Sequence, residues 1–202
     1  MQHIRPALAL VVLFTLLLGA AFPLAITGAA TTLLPYQANG SLITRHGQTI
    51  GSALIGQNFM APRYFHSRPS ATTATDPKDP SKTVPAPDAA DNSAASNLGP
   101  TSKALIDRVK GDAAANGPAH VPADMVTTSA SGLDPDISPA NALRQAARVA
   151  AARHMPEQAV VNLVVQHTRG RTLGIFGEPH INVLNLNIAL DEMEKKVASA
   201  HQ

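Results

Sequence analysis

The feature that most constrains this chain is a stretch near its N-terminus that lacks charged residues. No Asp, Glu, Lys or Arg occurs between Arg5 and Arg45, and residues 7–28 form a dense apolar block, ALALVVLFTLLLGAAFPLAITG. About 20 apolar residues, each rising roughly 1.5 Å along a helix, span the hydrocarbon core of a bilayer. The sequence therefore predicts one transmembrane helix over residues 7–28, followed by a soluble domain.

The same block also fits a cleaved signal peptide. Residues 7–18 would then be its apolar region, and the Gly-Ala-Ala sequence at 19–21 would supply the small residues at the cleavage site. Against cleavage, apolar residues resume beyond this point, and a membrane helix tolerates Pro23. Arg5 is also the only Lys or Arg ahead of the block. We favour a retained anchor and keep the cleaved signal peptide as the alternative.

The distribution of cations predicts how the anchor is oriented. Arg5 precedes the helix, whereas residues 31–44 carry no Lys or Arg. Loops on the cytoplasmic side of a membrane are enriched in these residues. We therefore expect residues 1–6 in the cytoplasm and an extracytoplasmic domain at 34–202. The chain has no cysteine, so it cannot form a disulfide framework.

The patterns behind the anchor predict an α+β domain. Two short β-type runs, at 41–44 and 49–55, flank a His46-Gly47 turn. Helix signals then alternate with two further strand-like runs. The predicted helices cover 102–115, 139–154, 156–167 and residues from Val183 onward, and the predicted strands cover 121–128 and 171–176. For the helix that begins after Ser138, the expected packing face is Leu143, Ala146, Ala147 and Ala150.

Residues 71–96 differ in composition from the rest of the domain. They consist mainly of Ala, Thr, Ser, Asp and Pro, and Val84 is their only bulky apolar residue. Such a segment buries too little apolar surface to offset the entropy lost on ordering. The sequence predicts a mobile loop.

Sequence patterns typical of catalytic sites are almost absent from this chain. The chain contains no phosphate-binding Gly-x4-Gly-Lys-Ser/Thr loop, no Gly-x-Ser-x-Gly elbow and no cysteine nucleophile. His154, His167 and His180 are each 13 residues apart, which is not the spacing of a zinc site on a helix. A formal charge of +2 without stacking aromatics also argues against binding to nucleic acid. We expect no catalytic residue, no metal and no cofactor in this chain.

Three segments hold more special residues than an ordinary loop. Residues 63–69 combine cations with aromatics, 129–139 combine hydroxyls with carboxylates, and 172–182 place two glycines near a carboxylate. Each could contact a partner, although an aromatic core turn or a plain turn would use the same residue types. The candidate partner contacts are Arg63, Tyr64, Arg68, Ser131, Asp134, Glu178 and His180.

Small residues make the anchor a candidate for helix packing as well. Gly19 and Gly28 lie in a part of it that is rich in Ala, Gly and Thr. Because helices in lipid approach most closely where residues are small, we expect these two glycines to contact another membrane helix.

Several blocks together carry a resemblance to a known family. In chain order they read AFPLAITG, QANGSL, GSALIGQNF, YFHSRPSA, SNLGPTS, SGLDPDISPANALRQAARVAAAR and HTRGRTLGIFGEPHINVLNLNIAL. This series resembles the C subunit of the Kdp-type potassium-transporting ATPase, from the anchor to Asp191. Two departures are visible: residues 72–96 are longer than the usual loop, and Asp136 stands where the family commonly has His.

The resemblance implies a retained single helix in the inner (cytoplasmic) membrane and a non-catalytic, accessory role. The implied partners are a P-type ATPase catalytic subunit, a channel-like potassium-translocating subunit, a small single-helix subunit and membrane lipid. ATP and potassium would be handled by the complex. The family's C subunit is described as a catalytic chaperone that raises the ATP affinity of the ATPase subunit. The predicted orientation instead places the domain away from cytoplasmic ATP, which fits a role over the external entrance of the channel-like subunit better.

The alternative is a free-standing secreted or periplasmic enzyme with a cleaved signal peptide. Its conceivable acid and base groups are Asp134, Asp136 and His180.

Overall fold

A computed structural model describes residues 2–117 and 120–200, with side chains described up to Lys195. The chain divides into two compact units between Ser52 and Ala53. The hairpin at 42–52 therefore belongs to the unit that contains the apolar helix, whereas the sequence assigned everything from residue 34 to one domain. The described part consists of helices, short two-stranded sheets and one N-terminal apolar helix. This composition confirms the predicted α+β class.

The first unit consists of a long helix, a single helical turn and a hairpin. The anchor helix, Ile4–Leu33, comprises α1 (Ile4–Leu16), a π-helical turn (Leu17–Ala21) and α2 (Phe22–Leu33). It is followed by α3 (Pro35–Ala38), β1 (Leu42–Arg45) and β2 (Gln48–Ser52).

The anchor helix is long enough to cross a bilayer. It has 30 residues, none of them buried, and at 1.5 Å per residue it is about 45 Å long. Pro23, which has no N–H to donate to the preceding turn, lies two residues after the π turn, and the Phe22 N–H bonds the Leu17 carbonyl five residues back. The helix thus extends three residues before and five beyond the predicted span of 7–28.

The hairpin confirms the two short β runs predicted around residues 46–47, although the second ends at Ser52 rather than at residue 55. Strands β1 and β2 pair antiparallel, with Arg45 opposite Gln48. His46 and Gly47 both have positive φ, +50° and +78°, as a tight two-residue hairpin turn requires.

The second unit is built on three helices, α5 (Pro139–Arg153), α6 (Glu157–His167) and α7 (Val183–Ala200). Its smaller elements are β3 (Thr73–Thr75), β4 (Thr83–Pro85), α4 (Lys103–Ala115), a 3-10 turn (Ala123–Met125), β5 (Asp136–Ile137) and β6 (Ile181–Asn182). The largest fully buried apolar side chains are Phe65, Ile137, Ile181, Leu186, Leu190, Val149, Val160 and Val164. The predicted helices are confirmed to within a residue or two.

Helix α5 begins as its sequence predicts but packs through a different face. The Ser138 side chain accepts a hydrogen bond from the Asn141 N–H, and proline occupies the first turn. The predicted face is wrong in part, because Leu143 and Ala147 are exposed. The buried face includes Asn141 and Gln145, whose amides are satisfied by hydrogen bonds inside the protein.

Two buried amides position the segment that holds the first group of candidate contacts. The Asn187 side chain accepts from the Phe65 N–H at 2.9 Å and donates to the Phe65 carbonyl at 3.0 Å. Gln145 does the same for His66, at 2.8 and 3.1 Å. Because Phe65 is fully buried between these clamps, residues 63–68 are held against α5 and α7.

Residues 71–96 carry more structure than the predicted loop. Strands β3 and β4 form a hairpin in which Ala74 lies opposite Val84. Thr72 is buried and donates to the Ala86 carbonyl, and the Ala94 N–H bonds the Ser131 carbonyl at 3.0 Å. The prediction missed this order because polar contacts, rather than apolar burial, hold the segment in place.

Both remaining strand predictions in this unit are wrong. The run at 121–128 contains only the 3-10 turn Ala123–Met125. The run at 171–176 forms the tip of a hairpin, with isolated bridges between Thr172 and Phe176 and between Arg169 and His180. Its residues have the types that are common in strands, but they are exposed at a turn and do not pair with a neighbouring sheet.

Candidate functional site

The first two predicted segments meet in an ion pair between Arg68 and Asp134. The Nη1 group of Arg68 donates to Oδ2 of Asp134 at 2.8 Å, with the two side chains 25% and 28% exposed. The other oxygen, Oδ1, accepts from the Asp136 N–H at 3.1 Å. The pair therefore links two loops, and each oxygen of Asp134 accepts a hydrogen bond within the chain.

Arg68 also lines a cleft of about 670 Å³ beside α5. Two further arginines on the same face of this helix, Arg144 and Arg148, line it too. Arg144 donates to the Asn116 carbonyl, and Arg148 donates to the Tyr64 carbonyl at 3.1 Å. These guanidinium groups brace the loops around the cleft through their backbone carbonyls.

Burial changes the ionisation of two groups in the cleft. Desolvation lowers the pKa of His66, and the charge of Arg148 lowers it further. Desolvation raises the pKa of Asp88. The hydrogen bond that Ser67 Oγ donates to this carboxylate at 2.9 Å lowers the pKa by a smaller amount. The cleft thus favours the neutral forms of its imidazole and its half-buried carboxyl group.

Arg63 and Tyr64 belong to a different cluster, centred on Arg153. The Arg153 guanidinium lies over the Tyr64 ring, 4.9 Å from its centroid. It also donates to Asp191 at 2.8 Å and forms an ion pair with Glu194. Arg63 joins the same Glu194 carboxylate at 2.7 Å. Both predicted contacts are therefore part of a network that ties the 63–68 segment to α5 and α7.

Ser131 holds the 71–96 segment in place. Its hydroxyl accepts from the Leu133 N–H at 3.1 Å, and its carbonyl accepts from the Ala94 N–H and from the Ser93 hydroxyl. The neighbouring Gly132 is tightly enclosed, since a Cβ placed there would lie 2.6 Å from the Ala94 carbonyl oxygen. This part of the second predicted segment has a clear structural role.

The third predicted segment is a hairpin whose base is closed by an ion pair. One Arg171 nitrogen lies 2.7 Å from both carboxylate oxygens of Glu178. His180 pairs through its backbone with Arg169, at 2.9 and 3.1 Å, and its Nδ1 lies 3.0 Å from the Glu178 carbonyl oxygen. Glu178 and His180 thus lie together, in a cluster separate from the Arg68–Asp134 pair.

The acid and base groups of the enzyme alternative are only partly assembled. Desolvation raises the pKa of Asp136, and the nearby His180 partly offsets this effect. The third member, Asp134, is paired with Arg68. Within residues 2–117 and 120–200, no three His, Asp or Glu side chains come close enough to hold a metal ion.

Sequence reasoning missed Arg153, the most deeply buried charged residue among those whose side chains the structure describes. The side chain of Arg153 is fully buried and bonds α7 through Asp191 and Glu194. These acidic residues are three apart and so share one face of a helix, which is a usable signal. Arg153 itself gives no sequence signal of its burial, because cations are common near helix C-termini.

The two glycines of the anchor helix lie on an uncovered surface. A Cβ at Gly19 or Gly28 would meet no atom within 4 Å. Nothing in this chain therefore requires glycine at these positions for steric reasons, which leaves room for a role in packing against another helix.

Over nearly its whole length, this chain is similar to potassium-transporting ATPase KdpC subunits. The chain is 59% identical to a potassium-transporting ATPase KdpC subunit from Methylobacterium nodulans over 97% of this chain and 100% of that protein. It is 60% identical to the subunit of the same name from Rhodopseudomonas palustris, over 95% and 98%. It is 58% identical to the one from Bradyrhizobium diazoefficiens, over 97% and 100%.

The family profile described as KdpC, the K+-transporting ATPase c chain, matches residues 4–192. This match spans the anchor helix and nearly all of the second unit, and it confirms the resemblance drawn from the sequence blocks. Together with the relatives, it disfavours the secreted enzyme. The chain belongs to the KdpC family of K+-transporting ATPase c chains.

Proposed function

We propose that this chain is an accessory, non-catalytic subunit of an ATP-driven potassium uptake pump, and that it stabilises the assembly of the ATPase and channel-like subunits. One observation carries the proposal: a 30-residue apolar helix with no buried residue lies within a chain that matches the family over residues 4–192. An exposed apolar surface of this length is stable only in lipid or against other apolar helices.

The proposed location is the inner membrane, crossed once. Arg5 lies at the start of the anchor helix, and the segment after it, residues 31–44, has no Lys or Arg. This asymmetry supports a cytoplasmic N-terminus and a second unit in the periplasm or outside the cell.

We propose that the second unit acts by docking over the external potassium entrance, with ATP and potassium handled by the other subunits. Two features support this over direct nucleotide binding. The sequence contains no phosphate-binding glycine loop. Two arginines of the cleft, Arg144 and Arg148, also direct N–H groups at the chain's own carbonyls. Any effect on the ATP affinity of the ATPase subunit would then pass through the assembled complex.

Co-purification tests the assembly role. The tagged chain, expressed with its neighbouring transport subunits and extracted in mild detergent, should elute with two larger membrane proteins, one of which hydrolyses ATP. Arg68→Ala or Asp134→Ala should reduce this co-elution or lower the apparent potassium affinity, because either change frees the two loops that the pair joins. A soluble monomer that begins after Ala21 would contradict the proposal and support the secreted enzyme.

Nucleotide titration tests the docking role separately. The full chain in detergent, without its partners, should show no saturable ATP binding by calorimetry at millimolar nucleotide. Saturable binding in that range would overturn the docking model and favour a direct nucleotide chaperone.

A further inference from the structure

The hairpin at 169–180 ends in an apolar tip that the chain leaves uncovered. Leu173, Ile175 and Phe176 are 83%, 72% and 64% exposed, and we call these three residues the apolar tip. Other strongly exposed apolar residues of the second unit, such as Met60 and Val165, are isolated along the chain. Exposed apolar side chains that cluster mark a contact site far more often than single ones.

The backbone holds the apolar tip in one shape. The Thr172 N–H donates to the Phe176 carbonyl at 2.9 Å, and the reverse bond measures 3.0 Å. Leu173 and Gly174 adopt positive φ, +54° and +75°. A non-glycine residue such as Leu173 rarely adopts this conformation, and here it turns its large side chain outward. A preformed loop loses little entropy when it binds, which favours a pocket of matching shape over a fluid surface.

The charges at the base of the hairpin favour a protein over a lipid surface. Arg171 is committed to Glu178 through both carboxylate oxygens. Glu178 is 77% exposed and lies two residues after Phe176. Segments that insert into anionic lipid present free cations to the headgroups. Here Arg171 is paired with Glu178, and Arg169, the other arginine of the hairpin, lies near the Asp136 carboxyl group, whose raised pKa its charge partly offsets. A neutralised ion pair, by contrast, can be covered by a protein without leaving one charge unmatched.

The size of the apolar tip selects among protein occupants. Complete burial of its three side chains would remove on the order of 400 Å² from water, whereas a stable stand-alone interface needs about 800 Å² on each partner. Contact through the tip alone is therefore too small to hold a freely diffusing partner. The anchor helix keeps partners in the same membrane at a high effective concentration, and the subunits of the proposed complex are the ones already held beside this chain.

We propose that the apolar tip inserts into an apolar pocket on the extracytoplasmic surface of another subunit of the ATPase complex. This inference deepens the proposed function and rests on it. It assigns the main docking contact to Leu173, Ile175 and Phe176, and it leaves Arg171 and Glu178 to hold the hairpin in the inserting shape.

Photo-crosslinking in native membranes tests the occupant. The photoreactive residue p-benzoylphenylalanine replaces Phe176 in the full chain, co-expressed with the transport subunits. Illumination should link the chain to one of these subunits, and the same probe at Val165 should give no such product. Crosslinks to lipid alone, to a second copy alone, or to nothing would each overturn the inference.

Matched triple variants test the energetic role. Leu173→Gln, Ile175→Gln and Phe176→Gln together should lower the recovery of the partner subunits about tenfold, since central apolar anchors dominate interface affinity. The control replaces three separate exposed residues by Gln: Ile106, Leu143 and Val165. Equal recovery for both triple variants would overturn the inference.

The wild-type chain distinguishes the two levels of the proposal. If it co-purifies with the subunits while the tip variant does so equally well, only the inference fails. If the wild-type chain does not co-purify, the proposed function fails and the inference fails with it.

Discussion

Replacing Arg153 by Met should destabilise the second unit more than replacing any other arginine of the network that ties residues 63–68 to α5 and α7 by Met. The Arg153 side chain is fully buried. It donates from Nε to the Arg63 carbonyl at 2.7 Å and from Nη2 to Asp191 at 2.8 Å, and it forms an ion pair with Glu194. Met is unbranched and apolar like the methylene stem of Arg, so the packing of the stem is retained while these bonds are lost.

The expected loss follows from the exposure of the groups left behind. Removing one partner of a buried ion pair typically destabilises a protein by about 3–5 kcal/mol, because a buried charge is left unmatched. Here the two carboxylates, Asp191 and Glu194, are 29% and 36% exposed and can recover water. Glu194 also keeps Arg63, at 2.7 Å. We therefore expect the free energy of unfolding to fall by about 2–3 kcal/mol, below the usual range.

Urea unfolding of the full chain in mild detergent, followed by far-UV circular dichroism, measures this loss. The control is Arg63→Met, because Arg63 joins the same carboxylate but its side chain is 47% exposed. Surface pairs of this kind contribute about 0–1 kcal/mol. Equal effects of the two substitutions would show that burial does not make Arg153 special, and would refute the reasoning.

Three further predictions follow from the structure. Asp88→Asn should raise stability at pH 7, where the raised pKa of Asp88 penalises its charged form, and the gain should vanish below about pH 4, the usual pKa of Asp. Urea unfolding at several pH values checks this, with Asp91→Asn, at an exposed position, as the control. Gly19→Leu or Gly28→Leu should reduce co-purification of partner subunits but not membrane insertion, since neither Cβ meets an atom of this chain; unchanged yields for both would contradict helix packing. Replacing residues 76–82 by a short Gly/Ser turn should leave potassium-limited growth and the melting temperature unchanged, whereas removing all of 71–96 should lower the melting temperature.

Local signals explain why the helices could be predicted. The Ser138-Pro139 start is a feature of a few neighbouring residues, and the structure places an N-cap hydrogen bond there. The apolar block was equally visible, although the helix extends beyond it to Leu33. The buried face of α5 could not be predicted from such local signals. Its buried side includes Asn141 and Gln145, and only a distant partner such as His66 makes burial of an amide favourable.

The 71–96 segment and the candidate site depend on long-range contacts that composition does not reveal. Thr72 is buried because its hydroxyl meets the Ala86 carbonyl, 14 residues away. Arg68 and Asp134 were both identified as candidate contacts, yet nothing in the sequence indicates that they pair with each other across 66 residues. Residue types thus predicted which segments hold candidate contacts. Which residues pair with each other is visible only in the folded structure.

Pairing within the chain determines what kind of docking remains available. Arg68 and Glu178, in two of the segments expected to contact partners, are each paired with an oppositely charged side chain at 2.7–2.8 Å. Such charges attract a distant partner only weakly, because the two charges of each pair nearly cancel. Salt screens the remaining field over roughly 8 Å. Recognition through these surfaces must then rely on shape and apolar contact, which the tip at 173–176 provides. Assembly dominated by such contacts should change little with ionic strength, whereas assembly driven by free arginines would weaken as salt rises.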